Sequence, residues 1–224
     1  MPSSTSHSSP PHPYANKQRV IRGILRGLME GRWQENDRLT EASAVDEFGV
    51  SRTPVREAFL ALQGLSLLEL RRNCGAVLLP FGPSELADLY AVRSLLETEA
   101  TRMAATRMPA EMVESLIEQF IAIRKAGEAD PDWKHDRELH RGIASHSGNR
   151  RLDSEIARYG ELIQTMREIV AEHLREIHST STEQHLAILE GLRKQDPEKA
   201  AAAMKAHLTQ ASESAIAAME AMRS

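Results

Sequence analysis

Apolar residues recur three and four positions apart from Tyr14 onward, which is the spacing of a helix with one buried face. This first helix is predicted to end near Gly31. A short second helix is predicted over 41–48, and a third from Arg52 to about Leu65. The apolar stripe of the third helix comprises Val55, Ala58, Phe59 and Leu62.

Two short apolar runs follow, at 67–70 and 76–79, on either side of a basic segment that contains Arg71 and Arg72. Short runs separated by a turn that contains glycine are typical of a β-hairpin. Behind a helix-turn-helix, such a hairpin with a basic tip is the wing of a winged helix-turn-helix.

Beyond Pro80-Phe81-Gly82-Pro83 the pattern is helical almost to the end of the chain. Proline, glycine and capping residues divide it into six helices in about 140 residues, which predicts an all-α bundle. The predicted helices start from a Ser84 cap, from Pro109, near Asp132, after Gly148-Asn149, from a cap between Ser179 and Thr182, and from an Asp196 cap; they end near Met108, Ala126, Ser147, Ile177, Lys194 and the C-terminus.

The fold class is therefore mainly α, in four predicted segments. Residues 1–13 are rich in serine, proline and histidine and predict a disordered tail. Residues 14–80 predict a winged helix-turn-helix domain, 81–83 a linker, and 84–224 a helical domain.

Composition narrows the class of protein. With 41% hydrophobic and 27% charged residues the chain can bury a core. It has no apolar run long enough to span a membrane, no secretory signal pattern and one cysteine, so we expect a cytoplasmic protein without a membrane partner. The net charge of −4 disfavours nucleic-acid binding, but residues 1–80 hold 10 basic and 8 acidic side chains, so the N-terminal part could meet DNA.

The most specific motif is Ser51-Arg52-Thr53-Pro54-Val55-Arg56-Glu57-Ala58. Ser51 is a favourable N-cap, and a proline is tolerated in the first turn of a helix. Arg52 and Arg56 are four positions apart and share a face, so they could donate hydrogen bonds to guanine edges or phosphates in a major groove. The alternative interpretation is a solvated charged face.

This octapeptide closely resembles the recognition helix of the GntR family of bacterial transcription regulators. The resemblance covers about Val20 to Pro80 and includes Gly31, Leu39-x-Glu41 and Asn73-x-Gly75. It implies operator DNA as a partner, contacted by two arginines and a threonine on the helix and by two residues at the wing: Arg52, Thr53, Arg56, Arg72 and Gly75. Ala42 stands where the family often has a longer polar side chain, so that contact is expected to be absent.

The helical domain carries a second group of candidates. Asp136 and His140 are four positions apart on one predicted helix face, and His185 and His207 lie on the apolar faces of later helices. A carboxylate and an imidazole on one buried face are the minimum for half of a metal site. Each histidine alone is more often a satisfied core residue.

The order of a winged helix-turn-helix and six helices resembles the FadR subgroup of the GntR family, with an FCD domain of the VanR-like branch. That domain senses an effector, commonly dimerises, and in its metal-binding members has D-x-x-x-H on one helix and a histidine on each of the last two. The resemblance implies a homodimer with a divalent ion (Zn²⁺, Ni²⁺ or Mn²⁺) on Asp136, His140, His185 and His207. Two alternatives are left open: the metal is structural and does not bind the effector, or the domain has lost its effector and the regulator acts constitutively.

Arg93 and Glu97 fall in the middle of an apolar helix face. A buried guanidinium needs a partner, so either the two residues pair internally or both belong to an effector site, where Arg93 would bind the carboxylate of a small organic acid. Asn149 resembles a family position at a helix junction, as a cap or as an effector contact. We therefore expect a metabolite-responsive repressor. A metalloenzyme with an appended DNA-binding module is disfavoured, because no general base or nucleophile motif accompanies the histidines.

Overall fold

The computed structural model describes residues 13–72, 74–127, 133–171 and 178–224. The chain divides into two compact units at the boundary between Phe81 and Gly82. The predicted disordered tail lies outside the described residues except for Pro13, which begins the first helix.

The N-terminal unit contains three helices and a small antiparallel sheet. Its sheet has the strand order β1-β3-β2, with both neighbouring pairs antiparallel. In chain order the elements are α1 (Pro13–Met29), β1 (Arg38–Leu39), α2 (Glu41–Phe48), α3 (Arg52–Gly64), β2 (Leu68–Arg71) and β3 (Gly75–Leu78). The predicted winged helix-turn-helix is confirmed.

The apolar stripes predicted for the helices form the core of this unit. Val20, Ile24 and Leu28 of α1 are buried, as are Val55 and Phe59 of α3. The prediction missed β1, which pairs Arg38 and Leu39 with β3. Two residues are too few to show the period of two that marks a strand.

The turn between α2 and α3 sets the direction of α3. Gly49 ends α2 with φ 62°, a left-handed conformation that glycine adopts at low cost. Ser51 occupies the N-cap position of α3 as predicted, but its hydroxyl makes no capping hydrogen bond. The third residue of the helix is Pro54, which has no N–H to donate to that hydroxyl.

The described residues of the C-terminal unit form helices and the turns between them, with no strand, in agreement with the predicted six helices. They are α4 (Pro83–Ala104), α5 (Ala110–Ala126), α6 (Lys134–His146), α7 (Arg150–Ala171), α8 (His178–Arg193) and α9 (Pro197–Arg223). Helix α9 packs against α4 and α8, while α6 packs against α4 and α7. This arrangement brings α4, α6, α8 and α9 around one core, which holds Leu139, Ile188 and Met204.

Several helix ends in this unit differ from the prediction, and α4 ends at Ala104 where an end near Met108 was expected. Ser84 was expected to cap α4, but the helix begins one residue earlier and Gly82 is the N-cap, whose N–H donates to the Glu85 carboxylate at 2.8 Å. Pro83 is then the first helical residue, where its fixed φ is favourable. Helix α8 begins at His178, ahead of its predicted cap, and the end predicted for α7 at Ile177 lies outside the described residues.

The cap predicted for α9 is confirmed, because the Asp196 carboxylate accepts a hydrogen bond from the Lys199 N–H at 3.0 Å. Within the described ranges, none of the helices combines the length and the apolar character needed to cross a membrane.

Candidate metal centre and nucleic-acid interface

The outer face of α3 carries the charges of the octapeptide. Arg52, Thr53 and Arg56 are exposed, while Val55 and Phe59 on the opposite side are buried. The Arg56 side chain is 63% exposed. The structure therefore presents three of the five predicted DNA-contacting residues together on one solvent-facing surface.

The Arg56 side chain is hydrogen-bonded to a residue of the neighbouring helix, α2. Its Nε donates to Glu41 Oε1 of α2 at 2.7 Å, and this hydrogen bond lowers the pKa of the Glu41 carboxyl and raises that of the Arg56 guanidinium. Glu41 was noted in the sequence only as part of Leu39-x-Glu41. Because the bond uses Nε, it does not occupy the two Nη groups, which are the end of the guanidinium that reaches furthest from α3.

The wing holds the other two predicted DNA contacts. Arg72 is exposed at the turn between β2 and β3, and Asn73 lies outside the described residues. Gly75 has φ 79°, and a Cβ at that position would lie 2.6 Å from the Leu39 carbonyl oxygen of β1. Packing of the wing against β1 thus requires a glycine there, whatever its role toward DNA.

The four candidate metal ligands meet inside the C-terminal unit. Asp136 and His140 come from α6, His185 from α8 and His207 from α9, and all four are buried. One ligand atom from each lies within 4.8 Å of the others, and the imidazole centroids are 4.6 to 6.0 Å apart. Residues that are 71 positions apart in the sequence therefore share one site.

Hydrogen bonds from outside the cluster set the tautomers of two histidines. His140 Nδ1 contacts the Glu97 carboxylate, and His207 Nδ1 lies 2.9 Å from Gln184 Oε1. A carboxylate and an amide oxygen only accept hydrogen bonds, so each Nδ1 carries the proton. The lone pairs of His140 and His207 are then on Nε2, and neither Nε2 atom has a hydrogen-bond partner although both are buried.

Neither ring nitrogen of His185 is in a hydrogen bond, and the imidazole packs at a tilt against Phe120, with the ring centroids 4.8 Å apart. Its Nε2 is 3.1 Å from Asp136 Oδ1 but is not aligned as a hydrogen bond. Burial lowers the pKa of both His185 and His207, which favours neutral imidazoles with free lone pairs. Buried nitrogens without partners are costly, and a divalent cation would satisfy Nε2 of His140, Nε2 of His207 and one nitrogen of His185, so the residues fit a metal ion.

Arg167 of α7 orients the carboxylate of the cluster. Its Nη1 lies 2.5 Å from Asp136 Oδ2, while Oδ1 of the same carboxylate is on the side of His185. Burial opposes ionisation of Asp136, but Arg167, His140 and His185 together outweigh it and hold the pKa of Asp136 well below its usual range. Sequence reasoning missed Arg167 and Gln184. A cation among the apolar residues of α7 was the available signal for Arg167, since Ile163 and Val170 share its face.

Arg93 and Glu97 form the internal pair that was one of the two predicted alternatives. Both are buried on α4, and Arg93 Nε contacts Glu97 Oε1. Burial alone would raise the pKa of Glu97, but Arg93 and His140 together lower it to about 2. Arg93 Nη1 is buried and has no hydrogen-bond partner, so the pair does not satisfy the whole guanidinium.

Asn149 is exposed at the start of α7. Its Oδ1 accepts hydrogen bonds from the N–H groups of Arg151 and Leu152 at 3.1 and 3.2 Å. This is the capping role, the first of the two predicted for this residue. An effector contact by Asn149 stays a prediction, since the oxygen is already used by the helix end.

Comparison with known proteins gives two family matches. The FCD domain matches residues 88–210, which is more than half of the chain. The family described as bacterial regulatory proteins, gntR family, matches residues 16–78. The two matches fall in the two units of the structure.

Named relatives cover most of the chain. The Nta operon transcriptional regulator of Aminobacter aminovorans is 29% identical over 178 residues, 79% of this chain and 83% of the relative. The probable D-xylose utilization operon transcriptional repressor of Paenarthrobacter nicotinovorans is 27% identical over 187 residues, 83% of this chain and 82% of the relative.

Solved structures share the fold. E. coli McbR/YncC has a TM-score of 0.60 at 19% identity, over 89% of this chain and 96% of that one. The metal-free FCD domain of TM0439 has a TM-score of 0.55 at 19% identity, over 63% of this chain and 98% of that domain. Identities this low support the shared architecture alone.

Proposed function

The chain belongs to the FCD-domain branch of the GntR family of bacterial DNA-binding transcription regulators, and from this premise we propose a metal-dependent, metabolite-responsive repressor. The family and the named relatives are regulators and not enzymes. One relative is named a repressor. The observation that carries the proposal is the buried cluster of one carboxylate and three imidazoles with unpartnered nitrogens.

We propose that the protein binds a pseudo-palindromic operator as a homodimer. Two copies of α3 would enter successive major grooves about one helical turn apart. The exposed Arg52 and Arg56 would contact guanine edges or phosphates, Thr53 would contact the backbone or a base, and Arg72 would add a contact from the wing. Phosphate contacts would provide much of the affinity and make it sensitive to salt.

In the C-terminal unit, Asp136, His140, His185 and His207 would hold a divalent ion. Zn²⁺, Ni²⁺ and Mn²⁺ all accept this ligand set, and when bound the ion would supply a Lewis-acidic position for a carboxylate. Arg93 supports a small organic acid as the effector, because its buried Nη1 lacks a partner that a carboxylate would provide. A difference in effector affinity between two arrangements of the dimer would then shift operator occupancy.

A second candidate is a regulator in which the metal is purely structural. The direct contact of Glu97 with both Arg93 and His140 favours this alternative, because it leaves the described polar network largely closed without an effector. Thermal-shift measurements with a set of carboxylates, with and without a chelator, separate the two. Stabilisation by a carboxylate that disappears with the chelator supports the effector-binding metal.

The metal content and the mass of the native protein test the proposed metal centre and the proposed dimer together. Elemental analysis and native mass spectrometry of protein purified without a histidine tag should give one divalent ion per chain and a dimer mass. Asp136→Ala combined with His207→Ala should lose the ion. A metal-free wild-type preparation that also fails to take up Zn²⁺, Ni²⁺ or Mn²⁺ would refute the proposed centre.

The role of α3 is tested by titrating operator DNA in a gel-shift assay. Arg56→Ala should weaken binding by roughly ten- to a hundredfold if Arg56 makes a bidentate base contact. Arg151→Ala is a matched control, since it removes an exposed arginine from the other unit. Equal affinities of the wild type and Arg56→Ala would reject the assigned contact.

A further inference from the structure

One buried carboxylate on α4 touches two functional candidates at once. Glu97 contacts Arg93 through Oε1 and His140 Nδ1 through Oε2. All three side chains are less than one tenth exposed. The sequence left Glu97 as either the internal partner of Arg93 or a member of the effector site, and the structure uses both of its oxygens on protein groups.

The two contacts compete for the same negative charge. A cation that pairs with one oxygen withdraws electron density from the other, and screening is weak in a buried site. A weaker acceptor at Nδ1 makes an imidazole a weaker metal ligand through Nε2, which is how outer partners of ligating histidines tune metal affinity. The effective charge of Arg93 should therefore affect, through Glu97, how strongly His140 Nε2 binds a metal ion.

Arg93 is also able to receive an anion. Its buried Nη1 lacks a hydrogen-bond partner, so a carboxylate there would gain a charge-assisted hydrogen bond. That carboxylate would partly neutralise the guanidinium. The Glu97 carboxylate would then accept a stronger hydrogen bond from His140 Nδ1–H.

We infer that Glu97 is a positioning residue that couples anion binding at Arg93 to metal binding at His140. The inference rests on the proposed metal centre and adds the route by which the two sites communicate. Its sign is positive: an anion on Arg93 strengthens metal binding, and by linkage the metal strengthens anion binding by the same factor.

The test uses Zn²⁺ alone as the first probe, titrated against a competing chelator into the full-length protein. Arg93→Gln imitates the neutralised guanidinium and should tighten Zn²⁺ binding by roughly fivefold, the lower end of measured couplings between sites. Glu97→Gln should weaken it by roughly ten- to a hundredfold. In the Glu97→Gln background, Arg93→Gln should change the logarithm of the Zn²⁺ affinity by less than half of the change that it causes in the wild type.

A matched pair on the same helix provides the control. Arg102 and Glu99 form an exposed ion pair on α4, so Arg102→Gln and Glu99→Gln should leave Zn²⁺ affinity unchanged. The Nδ1–H proton resonance of His140 gives a second readout that a packing role would not move. It should shift downfield in Arg93→Gln and stay at its wild-type position in Arg102→Gln.

Acetate is the second probe and needs no substitution at Arg93, should that variant fail to fold. At matched ionic strength, acetate should tighten Zn²⁺ binding to the wild type and lose most of this effect in Glu97→Gln. The coupling is overturned if acetate changes Zn²⁺ affinity equally in the wild type and in Glu97→Gln, or if Arg93→Gln does so. It is also overturned if acetate has no effect on the wild type. If Zn²⁺ binds but the effects are equal, only this inference fails; if Zn²⁺ does not bind, the metal centre itself is wrong.

Discussion

The two units of the chain handle charge in opposite ways. On α3, Arg52 and Arg56 are exposed, and Arg56 pairs with Glu41 of α2 near the surface. In the helical unit, Asp136, Glu97 and Arg93 are buried, and each charge faces an opposite charge within a few ångströms.

The difference follows from the cost of desolvation. A surface charge stays hydrated, needs no protein partner, and keeps its binding energy for a ligand that arrives later. A buried charge loses its water and must be compensated within the fold. Interactions on α3 should therefore act mainly on DNA binding, and interactions in the cluster on stability and metal binding.

The largest expected effect is a loss of stability when a charge is removed from the buried cluster and not from the surface of the N-terminal unit. Asp136→Asn leaves the partly buried Arg167 guanidinium without its opposite charge and should lower the free energy of unfolding of the metal-free protein by about 2–4 kcal/mol. Urea denaturation followed by circular dichroism measures it. The control Glu41→Gln removes the partner of an exposed arginine and should shift the midpoint far less. Similar losses of unfolding free energy in both variants would contradict the difference proposed between buried and surface charges.

The pH dependence of stability should come from the buried cluster. Burial lowers the pKa of His185 and His207 below the ordinary value of 6.5, so the unfolded chain binds more protons than the folded one in the window below about pH 6.5. Stability of the metal-free protein should then decrease as the pH falls through that window. The lowered pKa of Asp136 extends the loss to more acidic pH.

Thermal unfolding across this pH range measures the effect. His207→Gln should flatten the profile because it removes one of the groups that resist protonation in the fold. A wild-type profile that rises toward acidic pH would show that the histidines are not held neutral.

The smallest expected effect concerns Glu41. Glu41→Gln removes a negative charge beside Arg56, which would otherwise repel phosphates, and it weakens the contact that orients the guanidinium. Affinity for non-specific DNA should rise by roughly two- to fivefold, the size of an exposed charge pair, and discrimination in favour of the operator should fall. Fluorescence anisotropy with operator and scrambled duplexes measures both.

Glu57→Gln on α3 is the control for charge alone, since Glu57 is exposed and shares the helix with Arg56. If both variants raise non-specific affinity equally and neither loses discrimination, Glu41 contributes only its charge and does not orient Arg56.

Much of the fold was predictable because its signals are local. The bounds of α2, the wing and the number of helices in the C-terminal unit followed from apolar spacing and from caps such as Asp196. The errors were local too. Helix α4 begins at Pro83 and not after a Ser84 cap, and the two residues of β1 are too few to show the alternation of a strand.

Within the candidate sites, helical spacing predicted the two arginines one turn apart on α3 and Asp136 and His140 one turn apart on α6, and the family resemblance added His185 and His207. The packing of the helices brings those four side chains together, sets Glu97, Gln184 and Arg167 against His140, His207 and Asp136, and pairs Glu41 with Arg56. The reason is physical. Helical spacing fixes neighbours within a turn, whereas contacts between distant helices depend on how their apolar faces pack.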